Sequence, residues 1–244
     1  TLNDINTEYK SAIQILNERY SAANQAGDEQ AIDAIMAEYT ATSKAAILAN
    51  ADNIVGQDIL SSDYSLFGAQ ELLDLLAALP ENVQEKFAAI KANAEKSLLT
   101  EPGQPYIDFA EPGLDGQPIS LKSVVENPAN KYVLLDFWAS WCGPCMGEMP
   151  YLRDAYAKFH KKGFEIFGVS LDNKREAWEA AIKNKELNWL HVSDLQGWQN
   201  AAADLYGVRS IPANYLIECS TGKIVGVGLR GEEVAKKVAE ALAE

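Results

Sequence analysis

Sulfur and imidazole are scarce in this sequence: three cysteines and two histidines stand among 244 residues. So few cysteines, odd in number, exclude a disulfide framework. No apolar run approaches the length of a transmembrane helix, and no secretory leader is present. The first residue is Thr1 rather than Met, so a processed or trimmed terminus is expected. Contact with a membrane is then expected only through an anchor outside this sequence. Positive charge is short as well. Lys and Arg total 21 against 35 Asp and Glu, for a net charge of −14. That balance argues against nucleic acid and against anionic membrane surfaces as partners.

What is present suffices for one or two packed domains. The hydrophobic share, 48%, is ordinary for a globular protein. The two halves differ in charge: residues 1–100 hold 15 acids and 6 bases, and residues 101–244 hold 20 and 15. They also differ in pattern. Ile5, Tyr9, Ile13, Leu16 and Tyr20 recur at helical spacing, and Ile32, Ile35, Met36 and Tyr39 start a second stripe. Gly27-Asp28 separates the two, and residues 50–53 with Gly56 predict a further break. Leu72, Leu75, Leu76 and Leu79 predict a helix ending before Pro80, and Val83, Phe87, Ile90 and Ala94 a last one. Strand-type alternation is absent. Residues 1–100 therefore read as an all-α module of four or five helices.

Pro102, Gly103 and Pro105 mark a boundary. Residues 106–120 predict a hairpin turning at Asp115-Gly116. From Lys131 onwards strands and helices alternate: strands over 132–139 and 164–171, and helices over 143–162, 174–185 and 198–206. A short strand at 190–192, a hairpin from 214–218 and 224–229, and a closing helix over 232–243 complete the order. This is an α/β pattern, a central mixed sheet with helices on both faces.

The chemistry concentrates at Trp141-Cys142-Gly143-Pro144-Cys145. Cys142 falls where a strand ends and a helix begins, and there free backbone N–H groups and the helix dipole favour a thiolate. Pro144 lies in the first turn, where its missing N–H costs nothing. Gly143 permits close approach of another backbone. Cys145, about one turn on, faces the same way and is expected deeper, as the resolving thiol. A zinc half-site would need a second ligand pair, which Cys219, His160 and His191 do not form. Cys219 reads as a partly buried inert thiol. His160 reads as a solvated cap, and His191 as packing at a strand edge. Asp136 interrupts a buried strand, where an unpaired charge is expensive. Such a carboxyl could exchange a proton with Cys145. Glu148 shares the helix face of Cys145 and is the rival acid. Trp141 reads as an exposed substrate contact and Trp138 as packing; Trp198 could border the same groove but reads better as surface packing.

Residues 133–145 resemble the thioredoxin active-site segment. Met146-Gly147-Glu148-Met149-Pro150-Tyr151-Leu152 resembles the TlpA-like branch of that superfamily. Gly207-Val208-Arg209-Ser210-Ile211-Pro212 resembles its cis-proline loop. The resemblance spans about residues 100–244 and implies a thioredoxin fold over 101–244, preceded by the all-α module. It implies dithiol–disulfide exchange through Cys142 and Cys145, with no cofactor beyond that pair. Ile211 and Pro212 would pair with an extended substrate, and Asp136 would serve Cys145. Thioredoxins pair this aspartate with a lysine, and Gly168 aligns at the lysine's place. The Gly-Pro dipeptide resembles that of reducing thioredoxins, so a protein-disulfide reductase is favoured over an oxidase or isomerase. Expected partners are disulfide-containing proteins and an upstream electron donor, in the periplasm or cell envelope. A peroxidatic Thr-x-x-Cys site is lacking, because Ala139 stands three residues before Cys142. A non-enzymatic alternative makes the chain a redox-gated binding module whose helical part recruits a partner.

Overall fold

A computed structural model describes residues 1–243. Glu244 and the side chain of Ile5, the first member of the opening stripe, lie outside the described residues. The chain divides into two compact units, residues 1–95 and 96–244.

The first stretch is helical throughout: α1 (Leu2–Ala26), α2 (Glu29–Ala49), α3 (Ile54–Asp63), α4 (Ala69–Ala77), α5 (Glu81–Lys86) and α6 (Ala88–Leu98). Among the described residues six α-helices stand where four or five are expected, and two details differ from the sequence pattern. Gly56 lies inside α3 instead of breaking the chain. A Cβ there would stand 2.2 Å from the Asn50 carbonyl oxygen, so this glycine lets α3 press against the end of α2. The last stripe is divided at Phe87, whose backbone leaves the helical path. Capping is explicit at the start. Thr1 and Asp4 form a reciprocal capping box, and Gly27, with φ +67°, closes α1 before Asp28 caps α2. Leu60, Leu75, Leu76 and Val83 centre the apolar core.

Within this unit Asp63 is buried and saturated with hydroxyl donors. Ser43 Oγ donates to its carboxylate at 2.7 Å, Ser62 Oγ at 2.7 Å, and Tyr9 Oη also donates. The residues come from α1, α2 and α3, so the cluster ties three helices at one point.

The second unit opens with the hairpin β1 (Ala110–Pro112) and β2 (Pro118–Ser120), turning through Gly116 at φ +80°. Helix α7 (Leu121–Val125) leads into β3 (Tyr132–Trp138). Then follow α8 (Gly143–Phe159), β4 (Phe164–Ser170), α9 (Arg175–Lys185) and β5 (Leu190–Val192). The chain ends through α10 (Ala201–Leu205), β6 (Ala213–Glu218), β7 (Lys223–Val227) and α11 (Glu232–Ala241). The sheet order is β5-β4-β3-β6-β7, with β3 parallel to β4 and antiparallel to β6. This is the thioredoxin arrangement, a mixed sheet flanked by helices. Every residue of β3 and β4 is buried, as expected of central strands covered on both faces. Along β3, Phe137 packs on Tyr206 and Tyr215. The side chains of Asp136 and Trp138 emerge on the opposite face, because successive residues alternate.

Two expected elements are shorter. Helix 143–162 ends in a 3₁₀ turn at His160–Lys162, and helix 198–206 reduces to α10 behind a 3₁₀ turn at Gly197–Gln199. Asn200 separates these and caps α10, its Oδ1 accepting from the Ala203 N–H.

Candidate active site

The end of β3 and the start of α8 build the centre of the site. Cys142 is the N-cap of α8, with Pro144 in the first turn. Its Sγ accepts the Cys145 N–H at 3.1 Å, the kind of contact that favours sulfur carrying negative charge. Cys142 and Cys145 are joined, with an S–S distance of 2.04 Å. The two sulfurs are not equally placed: Cys142 keeps 5% exposure and Cys145 none. Only Cys142 sits at the rim, beside exposed Gly143 and Pro144. A Cβ on Gly143 would meet nothing within 4 Å. The close approach expected there is therefore not made by this chain's own backbone, and the space is open.

The Ile211–Pro212 bond is cis. The Ile211 carbonyl oxygen lies 3.6 Å from Cys142 Sγ, so the loop and the disulfide share one rim. Trp141 is 53% exposed. Trp198, read from sequence as surface packing, is 50% exposed and its ring lies 6.1 Å from that of Trp141. The structure thus adds it to the rim. Its turn is anchored by Asn200, whose amide donates to Glu111 at 2.7 Å and to Asp194 at 2.9 Å. Burial, and then the nearby Asp194, push the Glu111 carboxyl up to about 7.

Asp136 is 2% exposed, and no hydrogen bond to its carboxylate is found among the described residues. Burial drives its carboxyl up to about 7. The Arg230 guanidinium pulls against this, and Glu148 adds to it. Its partner in register on β4 is Gly168, which has no side chain to offer. Glu148 is half-buried and accepts the Gly231 N–H at 2.7 Å. The structure thus sets both candidate acids near one another, on a buried strand and on α8.

Residues overlooked in the sequence reading hold this arrangement. Asp172, just beyond β4, is buried and accepts from Ser140 N–H at 2.9 Å, Ser140 Oγ at 2.5 Å and Ser170 Oγ at 2.7 Å. It pins the backbone two residues before Cys142. Its signal was an acid at the carboxyl end of a central strand, where open α/β sheets assemble their sites. Arg230 and Gly231 are the others, and their signal was the Gly228–Gly231 spacing after the last strand. Gly231 has φ +54° and ψ −130°, a conformation that L residues with a Cβ avoid.

The remaining singled-out residues stand apart from the rim. Cys219 is partly buried, and burial together with Glu218 pushes its thiol up to about 11. His191 is buried on β5, and burial pushes its imidazole down to about 4. His160 stacks on Tyr156, with ring centroids 4.4 Å apart, so it is packed as well as solvated. Trp138 is fully buried. No cluster of three or more metal-ligating side chains occurs among the described residues.

A family model described as the AhpC/TSA family matches residues 102–226. The chain belongs to the AhpC/TSA family. Among curated relatives of this AhpC/TSA-family chain, the thiol-disulfide oxidoreductase ResA of Bacillus cereus strain ATCC 10987 is 32% identical over 156 residues. That match covers 64% of this chain and 85% of the relative. ResA of Oceanobacillus iheyensis is 30% identical, over 63% of this chain and 75% of the relative. Among solved structures, the thioredoxin domain of a thiol-disulfide oxidoreductase from Bacteroides vulgatus superposes with a TM-score of 0.53 at 32% identity. It covers 58% of this chain and 98% of that one. A thiol-disulfide oxidoreductase from Bacteroides fragilis gives 0.51 at 36% identity, over 56% and 98%. The AhpC/TSA-family chain is thus a TlpA-like, thioredoxin-fold thiol–disulfide oxidoreductase carrying a redox-active cysteine pair.

Proposed function

We propose that the reduced protein delivers two electrons to disulfides of protein substrates, with Cys142 as nucleophile and Cys145 as resolving thiol. The observation that carries this reading is the inequality of the two sulfurs. Cys142 caps α8 at the exposed rim, and Cys145 is wholly buried behind it. The Cys142 thiolate attacks one sulfur of a substrate disulfide and expels the other as a thiolate. Cys145 then gives its proton to a carboxylate and attacks Cys142 Sγ. The second substrate thiolate leaves, and the pair becomes the disulfide. An upstream dithiol donor resets it. Asp136 is the stronger candidate for the proton acceptor, since it titrates near neutrality; Glu148 is already engaged by the Gly231 N–H.

Trp141, Trp198, Gly143, Pro144, Ile211 and Pro212 form the rim that receives an extended substrate segment. Residues 1–100 are a helical module accompanying the catalytic domain 101–244. Disulfide-containing protein substrates, an upstream electron donor and a periplasmic or cell-envelope setting belong to this reading, supported by the family rather than by a feature of the site. No helix among the described residues is long and apolar enough to cross a membrane.

Trapping tests the assignment. Cys145→Ser should accumulate mixed disulfides on Cys142, visible as adducts on non-reducing gels. Adducts from Cys142→Ser instead, with none from Cys145→Ser, would reverse the roles. Adducts from neither would remove the exchange mechanism.

A further inference from the structure

Resting on the exchange mechanism above, the geometry points to Arg230 as a positioning residue for the reaction: it fastens the cis-Pro212 loop to the corner that grips Glu148 and is the charge partner of Asp136.

The corner is residues 228–231, between β7 and α11. Arg230 donates from one guanidinium nitrogen to the Leu229 carbonyl at 2.9 Å. From another it donates to the Pro212 carbonyl. The next residue, Gly231, donates its N–H to Glu148. The residue before, Leu229, is locked to Asn214: its N–H donates to Asn214 Oδ1 at 2.8 Å, and its carbonyl accepts from Asn214 Nδ2 at 2.9 Å. Asn214 is the register partner of Asp136 on β6. Three consecutive residues thus hold the cis-proline loop, the strand beside Asp136 and the rival acid.

The need for a cation at this corner follows from the neighbours of Asp136. Gly168 on β4 offers no side chain, and Asn214 on β6 has both amide atoms committed to Leu229. His191, one strand further in the same register row, is buried and held neutral around pH 7. From α8 come Glu148, which is acidic, and Cys145, a thiol once reduced. Arg230, fixed at this corner by the Leu229 and Pro212 carbonyls, brings a positive charge that works against the effect of burial on Asp136. A planar fork suits this task, because it spans two carbonyls while keeping its charge.

A small aromatic disulfide, dithiobis(nitrobenzoate), separates the two chemical steps. In a Cys219→Ser background the prereduced pair should release two nitrothiobenzoate anions in sequence. The first comes from Cys142 attack and the second from Cys145 resolution. With Arg230→Met, the second phase should slow roughly tenfold at about pH 7 and recover at about pH 9, since loss of the cation leaves Asp136 protonated to higher pH. The first phase should slow less, and by the same factor at every pH, because it reads only the hold on the Pro212 loop. Arg230→Lys, which keeps the charge, should restore the pH profile of the second phase. Equal slowing of both phases at every pH would reduce Arg230 to a clip and overturn the charge role. So would a second-phase pH profile unmoved in Arg230→Met. The underlying reading fails separately. If Asp136→Asn leaves the second-phase profile of the parent in place, Asp136 does not take the proton, whatever Arg230 does.

Discussion

Each unit of this protein buries an aspartate, and the two are treated in opposite ways. Asp63, among the helices, accepts from Tyr9, Ser43 and Ser62. Asp136, in the middle of the sheet, has no hydrogen-bond donor among the described residues, and its carboxyl is pushed up to about 7. A buried acid held by three hydroxyl donors fixes geometry. One left without donors is costly, and it changes protonation state in the range where thiols react. Asp172 shows that location alone does not decide the matter. It lies beside the active-site loop, yet it is satisfied by Ser140 and Ser170 and serves as a pin. The contrast separates acids that hold the fold from an acid available for chemistry.

The largest effect should come from the cysteines. Cys142→Ser should cut turnover on a protein disulfide by on the order of a thousandfold or more, read as insulin reduction with a dithiol donor. Comparable activity from Cys142→Ser would detach the chemistry from the sheet unit's rim altogether.

Asp136→Asn should separate stability from activity. The carboxyl ordinarily titrates near 3.8 and is held at about 7 in the oxidised fold. The folded state therefore binds more protons than the unfolded one between these values, and stability falls as pH rises through that window. The variant should match the parent at pH about 3. Above pH about 7 it should gain stability, on the order of 4 kcal/mol, while resolution of mixed disulfides slows at least about tenfold. Chemical denaturation at the two pH values measures the first effect. A variant destabilised at high pH would mean that Asp136 is satisfied after all, like Asp63.

Asp63→Ala should do the reverse. Three hydroxyls lose a buried acceptor, at a cost of about 2–4 kcal/mol in thermal or urea unfolding. Exchange at Cys142, which belongs to the other unit, should stay within about twofold. A matching loss of turnover in the folded variant would erase the distinction between the two aspartates.

The smallest change is expected from Trp198→Ala. Half of this ring is exposed against Trp141, so its loss should raise KM for a protein disulfide about three- to tenfold, equivalent to roughly 1 kcal/mol. The rate with a small aromatic disulfide should hardly move. Equal effects on both substrates would assign Trp198 to packing, as its sequence context suggested.

Much of this is legible in the sequence alone. The cysteine pair at a strand-to-helix junction and the buried run of β3 and β4 announce themselves locally, and the Ile211–Pro212 loop is marked only by its resemblance to the family. In the helical unit, stripes at helical spacing predicted helices correctly, but Gly56 misled. Alone it signals a break, and only the Asn50 carbonyl against it explains a glycine inside α3. Trp198 stays ambiguous in the sequence, because its ring partner Trp141 lies far away in the chain. Arg230, Gly231 and Asp172 went unnoticed for the same reason: each acts on a group that folding brings to it.

The sequence by itself determined the reaction class. Cysteine spacing, the helix start at Cys142 and the buried acid are short-range features, and short-range physics is written in consecutive residues. Tertiary structure alone decided how the acids are surrounded. It placed Gly168 opposite Asp136, gave Glu148 to the Gly231 N–H and brought Arg230 to the Pro212 carbonyl. Desolvation and charge pairing depend on which strands and corners meet in space, and no local pattern encodes that meeting.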